Sequence, residues 1–267
     1  MLKMQSSARR KAYITAMKLL MGVAAVLTCA LVVGMIGYIL GNGIPNVTWE
    51  MLSTAPSYLA SRVGILPDIL STLYIVIATL LIVLPLGVGA AIYLTEYAHN
   101  KKVVAVIEYA AEALSGIPSI IYGLVGMLVL VPGIRQAFHI PDGSGLLAAI
   151  IVLAIMILPS IINVAMTALE AVPREYEDAS LALGATETET WFKVSVPAAR
   201  SGIAAAVVLG VGRAIGEAMA VMMVSGNVPN MPELFQSVRF LTTAVASEMS
   251  YSSGLQRQAL FSIALVL

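Results

Sequence analysis

The sequence predicts an all-α, polytopic membrane protein with six transmembrane helices. Of its 267 residues, 59% are hydrophobic and 11% are charged, whereas roughly a quarter of the residues are charged in soluble domains. The charges are clustered. Four windows contain no Asp, Glu, Lys or Arg, namely residues 19–40, 69–95, 113–134 and 143–169. Each is longer than the ~20 residues that an α-helix needs to cross the ~30 Å hydrocarbon core of a bilayer.

The first two spans follow from the first two windows. The first is predicted over about residues 16–40 and ends in a turn-rich segment, Gly-Asn-Gly-Ile-Pro. The second is predicted over about residues 68–97. It contains Pro85, which removes one helical hydrogen bond, so we expect a kink there. The end of the first span and the start of the second therefore coincide with turn-forming or polar residues.

The third span is predicted to begin near Glu108 or Glu112 and to end near residues 132–133. A Gly-Ile-Pro-Ser segment, residues 116–119, interrupts it, because glycine and proline both disfavour a continuous helix. We therefore expect one span that is broken close to its start.

The last three spans are predicted over residues 145–169, 198–226 and from about Leu255 onward. The sixth apolar run stops at Leu267 after only about ten uncharged residues, roughly half of a span. We expect the sixth helix to be incomplete at Leu267. Residues 1–267 are expected to form a single transmembrane domain.

The distribution of basic residues predicts the orientation. With a cytoplasmic N-terminus, ten Lys and Arg residues fall in inner segments and four in or beside outer segments. This asymmetry fits the positive-inside rule, and the inverted topology would violate it. The charged loop at residues 170–200 is therefore predicted to be cytoplasmic.

That loop has the pattern of two short amphipathic helices joined at Gly184. Glycine permits the positive φ that a tight turn between helices often needs, and Pro197 suits the first turn of a following helix. An ordered amphipathic loop outside the bilayer indicates a surface for another protein. An ordinary surface hairpin without a partner is the alternative.

The residues of the loop resemble the EAA motif of permease subunits of ABC importers. The family pattern is Glu-Ala-Ala, three residues, Gly, nine residues, then Ile-x-Leu-Pro. The matching positions here are Asp178, Ala179, Ser180, Gly184, Val194, Val196 and Pro197. Spacing, glycine and proline agree, and the substitutions preserve charge or size. The resemblance implies the type I importer permease fold and contact of these residues with a separate ATPase subunit.

A second constellation lies in the fifth apolar run, where Arg213 and Glu217 interrupt an uncharged stretch. Four residues apart, they are expected to share a helix face and to pair. Arg213 would lie about 22 Å along the helix, near the middle of the membrane. Charges at that depth usually face a bundle interior or a water-filled path. Gly212 and Gly216 are expected to let a second helix approach closely.

Residues 85–97, 116–124 and 210–227 resemble segments of the permeases of phosphate ABC importers, the PstA and PstC subunits. The resemblance covers about residues 66–227. The second-span segment favours PstA and the fifth-span segment favours PstC, with a slight preference for PstA. The resemblance implies that Arg213 and Glu217 line the substrate pathway. It also implies ATPase subunits, a second permease and an extracytoplasmic phosphate-binding protein as partners, in a bacterial cell membrane.

Several classes of function are disfavoured. The sequence has no Gly-x-x-x-x-Gly-Lys-Ser/Thr loop, so we expect no ATP or other cofactor on this chain. His99 and His139 fall in different loops and predict no metal site. Ser and Thr residues have no His-Asp partners, so we expect a transport subunit rather than an enzyme. We expect no nucleic-acid partner.

Three alternatives stay open at this point. Arg213 and Glu217 can form a buried ion pair that only locks helix packing. The chain can be a permease for another oxyanion, such as molybdate, sulfate or phosphonate, since such permeases share the loop motif. Finally, the two charges can form a proton-coupled site in a secondary transporter whose loop merely connects spans.

Overall fold

A computed structural model describes residues 8–56, 64–98 and 100–267 of the chain. The described residues form helices joined by short connections, and within these ranges the only β-type pairing is an isolated parallel bridge between Gly226 and Val238. The all-α prediction is confirmed. His99 lies outside the described residues, which contain no group of His, Cys, Asp or Glu side chains arranged to hold a metal ion.

The helices are numbered in chain order. Their bounds are α1 Ala8–Gly43, α2 Trp49–Ser53, α3 Leu66–Ile92, α4 Lys101–Ser115, α5 Ser119–Val125, α6 Val131–Phe138, α7 Leu146–Glu170, α8 Arg174–Ala182, α9 Glu187–Thr190, α10 Val196–Ala198, α11 Arg200–Gly216, α12 Met219–Val224, α13 Leu241–Glu248 and α14 Gly254–Val266. Three π-helical turns, Tyr93–Tyr97, Gly126–Leu130 and Trp191–Ser195, extend or join these helices. A 3₁₀ turn, Ile44–Asn46, follows α1.

Four continuous helical segments are long and apolar enough to cross a membrane. They are Arg10–Asn46, Leu66–Tyr97, Ser119–Phe138 and Leu146–Glu170. A fifth span exists if Glu187–Ala198 and Arg200–Gly216, which meet at 65°, are taken together. The first, second and fourth predicted spans are therefore confirmed. Helix α14 has 13 residues, and the sixth span stays a prediction.

The predicted start and end of the third span are wrong. Residues near Glu108 belong to a separate helix, α4, which begins at Lys101 because the Asn100 side chain accepts a hydrogen bond from the Lys102 backbone N–H (3.1 Å). The break at residues 116–118 is confirmed, and the span starts after it. It ends at Phe138 rather than at Pro132, because proline is tolerated in the first turn of α6.

Helix α7 is the centre of the bundle, with α3 and α11 packed against it. Ile161 of α7 is buried between Gly87 of α3 and Gly210 of α11. A Cβ atom at Gly87 would lie 2.7 Å from the Ile161 Cγ2, and one at Gly210 would lie 2.7 Å from its Cδ1. Both distances are far below van der Waals contact, so only glycine lets the three helices approach this closely.

Helix α1 stands apart from this core. Its side chains are exposed along most of its length, and its contacts are with α14 near its C-terminal end. There, Tyr38 meets Phe261 edge to face with ring centroids 5.4 Å apart, and the Ser262 hydroxyl donates to the Gly43 carbonyl (2.9 Å). The apolar face of α1 is thus left for lipid or for other chains.

The close packing at Ile161 gives a matched pair of variants. Gly87→Ala should lower thermal stability, because overpacking costs about 1–3 kcal/mol while the gain in helix propensity is about 1 kcal/mol. Gly89→Ala, two residues further along α3, should be neutral or stabilising, because no atom lies within 4 Å of an added Cβ. Thermal unfolding of the detergent-solubilised proteins measures the difference. Equal melting temperatures would contradict the packing described here.

Candidate coupling loop and translocation site

The loop at residues 170–200 folds as a helical hairpin. Helix α8 ends at Ala182, the chain turns at Gly184 with a φ of +90°, and Thr186 begins α9. The Thr186 hydroxyl accepts from the Glu189 backbone N–H (3.3 Å) and the Glu189 carboxylate accepts from the Thr186 backbone N–H (3.2 Å), which is a capping box. The two predicted helices and the positive φ at Gly184 are confirmed.

Two side-chain hydrogen bonds, each with one buried partner, hold the arms of the hairpin together. The Thr190 hydroxyl donates to the Ser180 hydroxyl (2.9 Å), and the Ser195 hydroxyl donates to the Glu177 carboxylate (2.9 Å). Thr190 and Ser195 are almost fully buried. Sequence spacing does not reveal the pairing of Glu177 with Ser195, because these residues lie 18 positions apart. Ser180, the third position of the EAA-like motif, therefore helps to fix the hairpin.

Trp191 attaches the hairpin to the end of the second span. Its ring lies against that of Tyr97, with centroids 4.1 Å apart at an interplanar angle of 62°. The Tyr97 hydroxyl is 3.4 Å from the Thr188 hydroxyl, at the long end of the hydrogen-bond range. The hairpin therefore packs directly against the end of the second span.

The outer surface of the hairpin combines exposed apolar and acidic side chains. Leu183 is 89% exposed at the turn, and Phe192 is 57% exposed. Glu189 forms an ion pair with Lys193 at 3.0 Å, and the hydrogen bond from Lys193 lowers the pKa of the Glu189 carboxyl. Large apolar groups on a charged loop are typical of a protein-binding surface.

The motif residues divide into two groups. Asp178, Ala179, Gly184 and Pro197 are exposed, whereas Ser180, Val194 and Val196 are partly buried. The exposed group lies on the outside of the hairpin. The partly buried group supports its fold.

Arg213 lies on α11 and points towards α7. Its Nη1 donates to the Ser160 hydroxyl at 2.6 Å, and its side chain is partly buried. Among residues 8–56, 64–98 and 100–267, Arg213 forms no ion pair. The guanidinium has five N–H donors, so most of its hydrogen-bonding capacity remains for another group.

The expectation that Arg213 and Glu217 pair on one helix face is wrong. Helix α11 ends at Gly216, and Glu217 is extended, with φ −74° and ψ 121°. Its carboxylate accepts the backbone N–H of Ala220 (2.9 Å), at the start of α12. Its carbonyl accepts from the Thr242 hydroxyl (3.0 Å). These two bonds replace helical ones, so the predicted continuous fifth span is a broken helix.

The predicted close approach at Gly212 and Gly216 does not occur within the described chain, where nothing lies within 4 Å of an added Cβ at either position. Close contacts on α11 occur instead at Gly210 and at Gly202, where an added Cβ would lie 2.3 Å from the Ala168 Cβ. The face that packs on α7 is therefore a different face from the one expected.

Ser160 was missed as a partner for Arg213. The available signal was a hydroxyl directly after Pro159 in an otherwise apolar run. Proline frees a carbonyl and kinks a span, and polar groups beside such a kink are common at pathways. Sequence spacing does not reveal that a residue 53 positions away meets it.

The chain matches the family described as "Binding-protein-dependent transport system inner membrane component" over residues 83–267. It is 38% identical to the "Probable ABC transporter permease protein YqgH" of Bacillus subtilis, over 97% of this chain and 85% of that protein. It is 36% identical to the "Phosphate transport system permease protein PstC" of Haemophilus influenzae, over 81% of this chain and 75% of that protein.

A second phosphate relative is the PstC permease of Pasteurella multocida, 36% identical over 76% of this chain and 70% of that protein. Both of these relatives are PstC proteins, so they do not support the slight preference for PstA that the second-span segment suggests. All three relatives are named as permease proteins, that is, transport subunits rather than enzymes.

The fold also has solved counterparts. The chain resembles a subunit of the inward-facing MetNI methionine ABC transporter, with a TM-score of 0.54 and 22% identity, over 76% of this chain and 87% of that one. A similarity at this level of identity concerns the fold alone. The family match over most of the chain, together with the named permease relatives, identifies the protein as a membrane-embedded ABC-importer permease of the binding-protein-dependent transport family.

Proposed function

We propose that this chain is the permease subunit of an importer for inorganic phosphate and forms half of a translocation pathway. The observation that carries the proposal is the Arg213 guanidinium, which lies within the bundle without a carboxylate partner in the described chain. A charged group at membrane depth is costly unless it serves a pathway or finds a counterion. A transiting anion supplies that counterion.

Phosphate suits this geometry. An Arg fork matches the spacing of phosphate oxygens, and charge-assisted hydrogen bonds are about twice as strong as neutral ones. Ser160 orients the guanidinium through Nη1 and leaves the other donors for the anion. A single cationic site with a neutral helper favours passage over tight retention.

Glu217 provides a reason for phosphate rather than sulfate or molybdate. Its carboxylate lies at the helix break one turn beyond Arg213, held by the Ala220 backbone N–H. Near neutral pH phosphate carries a proton, which a carboxylate can accept as a hydrogen bond. Sulfate and molybdate are fully ionised and offer only repulsion. The phosphate names of two relatives agree with this preference.

The two rival roles for the charged residues receive less support. A packing ion pair requires contact between Arg213 and Glu217, and these residues bond to Ser160 and Ala220 instead. A proton-coupled secondary transporter has no separate ATPase for the ordered hairpin to bind. The family match is instead to binding-protein-dependent transport systems.

The hairpin is proposed as the coupling element to a separate ATPase. Leu183 and Phe192 would enter an apolar cleft on that subunit, and Asp178 would lie at the rim. ATP would be held by the ATPase and no cofactor by this chain. In a bacterial cell membrane, the hairpin and the N-terminus would both lie on the cytoplasmic side. A second permease subunit would supply the other half of the translocation pathway. A phosphate-binding protein would deliver the anion from outside.

The first functional prediction concerns Arg213. Arg213→Gln should lower phosphate uptake at least about tenfold, because it removes a charge-assisted partner worth about 1.5–3 kcal/mol. Arg213→Lys keeps the charge but loses the planar fork, and should recover part of the uptake. Ser160→Ala should lower uptake several-fold and Ser160→Thr should retain it.

Uptake of labelled phosphate, normalised to the amount of membrane-inserted complex, measures these effects. Glu217→Gln should in addition let sulfate compete better with phosphate. Exposed Arg135, on α6, provides the control, since Arg135→Gln should transport normally. Wild-type uptake by the Arg213→Gln, Glu217→Gln double variant would contradict a pathway role for these residues.

The second functional prediction concerns coupling at Gly184. Gly184→Val should insert normally but lose ATPase association, because a β-branched residue is strained at a φ of +90°. Gly184→Asn is the matched control, since asparagine tolerates positive φ better than most other non-glycine residues. An added Cβ meets no atom of the described chain within 4 Å, so the substitution introduces strain without a clash inside this chain.

Co-purification of the ATPase subunit from solubilised membranes measures this effect. Recovery of the ATPase should be strong with wild type and Gly184→Asn, and weak with Gly184→Val. Full recovery with Gly184→Val would remove the hairpin as the coupling element.

A further inference from the structure

A buried cluster of charges lies outside the site described above. Asp68, at the start of α3, is fully buried. Arg239 bonds to it through two nitrogens, Nε at 3.1 Å and Nη2 at 2.8 Å from Asp68 Oδ2. Through Nη1, Arg239 also bonds to the Glu248 carboxylate (2.7 Å), at the C-terminal end of α13. One guanidinium therefore joins α3 to α13, although the residues lie up to 180 positions apart.

The start of α13 is fixed to two further elements. The Leu241 backbone N–H donates to the Thr72 hydroxyl of α3 (3.1 Å). The neighbouring Thr242 hydroxyl donates to the carbonyl of Glu217 (3.0 Å), the residue at the break between α11 and α12. Leu241 and Thr242 are both buried. A chain of direct contacts thus runs from Asp68 through Arg239 and α13 to the helix break.

We propose that Arg239 is a positioning residue for transport: by clamping Asp68 and Glu248 it fixes α13, and through Thr242 it fixes the helix break that carries Glu217. This inference deepens the proposed function and rests on it where transport is the readout.

The chemistry of the cluster supports a positioning role. The exposed fraction of the side chain is 11% for Arg239, 0% for Asp68 and 32% for Glu248. Two carboxylates already occupy the fork of Arg239, so it is not a receptor for a third anion. A buried carboxylate held by two bonds from a guanidinium has little orientational freedom, which makes the cluster a rigid reference point for α13.

Without that reference point, the bond from Thr242 would lose its alignment. A carbonyl freed from a helix by a break must find another donor or face a desolvation cost. The Glu217 carbonyl finds that donor in Thr242. When α13 shifts, the break is expected to relax, and the Glu217 carboxylate moves with it.

The experiment probes the break directly with a thiol. Met219→Cys, in a Cys29→Ala background, places a reactive group on a half-exposed side chain two residues after Glu217. The rate of maleimide labelling of the membrane-inserted complex reports the position of the break, and labelled phosphate uptake reports its consequence. Arg239→Gln and Thr242→Val should each change the labelling rate at least about threefold and lower the maximum uptake rate.

Two matched controls separate positioning from general damage. Thr242→Ser keeps the hydroxyl donor, and Arg135→Gln removes an exposed arginine outside the cluster. Both should keep the wild-type labelling rate and uptake. The Thr242→Val variant leaves all charges in place, so it decides the matter even when Arg239→Gln prevents insertion.

A Thr242→Val protein with wild-type labelling and uptake would overturn the proposal. If Arg239→Gln changed the labelling rate and Thr242→Val did not, the proposed link from Arg239 through α13 and Thr242 to the helix break would be wrong. The labelling readout needs no phosphate transport. Failure of the wild-type complex to take up phosphate would therefore refute the proposed substrate while leaving the test of positioning intact.

Discussion

The close approach of α3, α7 and α11 around Ile161 determines where the functional side chains of the bundle lie. Gly87 and Gly210 lack the Cβ atoms that would hold the neighbouring helices away from this side chain. In a bilayer, lipid tails are as apolar as leucine, so helices associate mainly through such close packing and through polar contacts. The contact fixes the height and rotation of α11 against α7. It thereby sets Arg213 opposite Ser160, one residue before Ile161.

The break at Glu217 is the second determinant of the site. In a continuous helix, Glu217 would lie one turn from Arg213 on the same face and neutralise it. The extended backbone carries the carboxylate to the start of α12 instead. The consequence is that the guanidinium has no carboxylate partner in the described chain and keeps most of its N–H donors available. A helix break where charges gather is a common feature of membrane transport sites, since irregular backbone is tolerated where it lines a cavity or is buried in protein.

Much of the fold was predictable from local patterns. Charge-free windows located three of the spans, and the glycine in a polar loop indicated the hairpin turn with positive φ. What failed depends on contacts between distant residues. The Glu217 break needs a donor from Thr242, 25 residues later, and Arg239 finds Asp68 across 171 residues. From sequence, Arg239 is only one of the four basic residues in or beside outer segments, because no local pattern reveals a buried partner so far away.

A pathway role for Arg213 requires that the Ser160–Arg213 pair face an aqueous path rather than a dry helix contact. A single cysteine at Ser160, in a Cys29→Ala background, tests this claim directly. In the assembled complex, a membrane-impermeant charged thiol reagent should label this cysteine. Addition of phosphate-loaded binding protein and ATP should change the rate of labelling. Labelling only by a lipid-soluble maleimide, with no response to phosphate or ATP, would place the pair in packed protein and contradict the account.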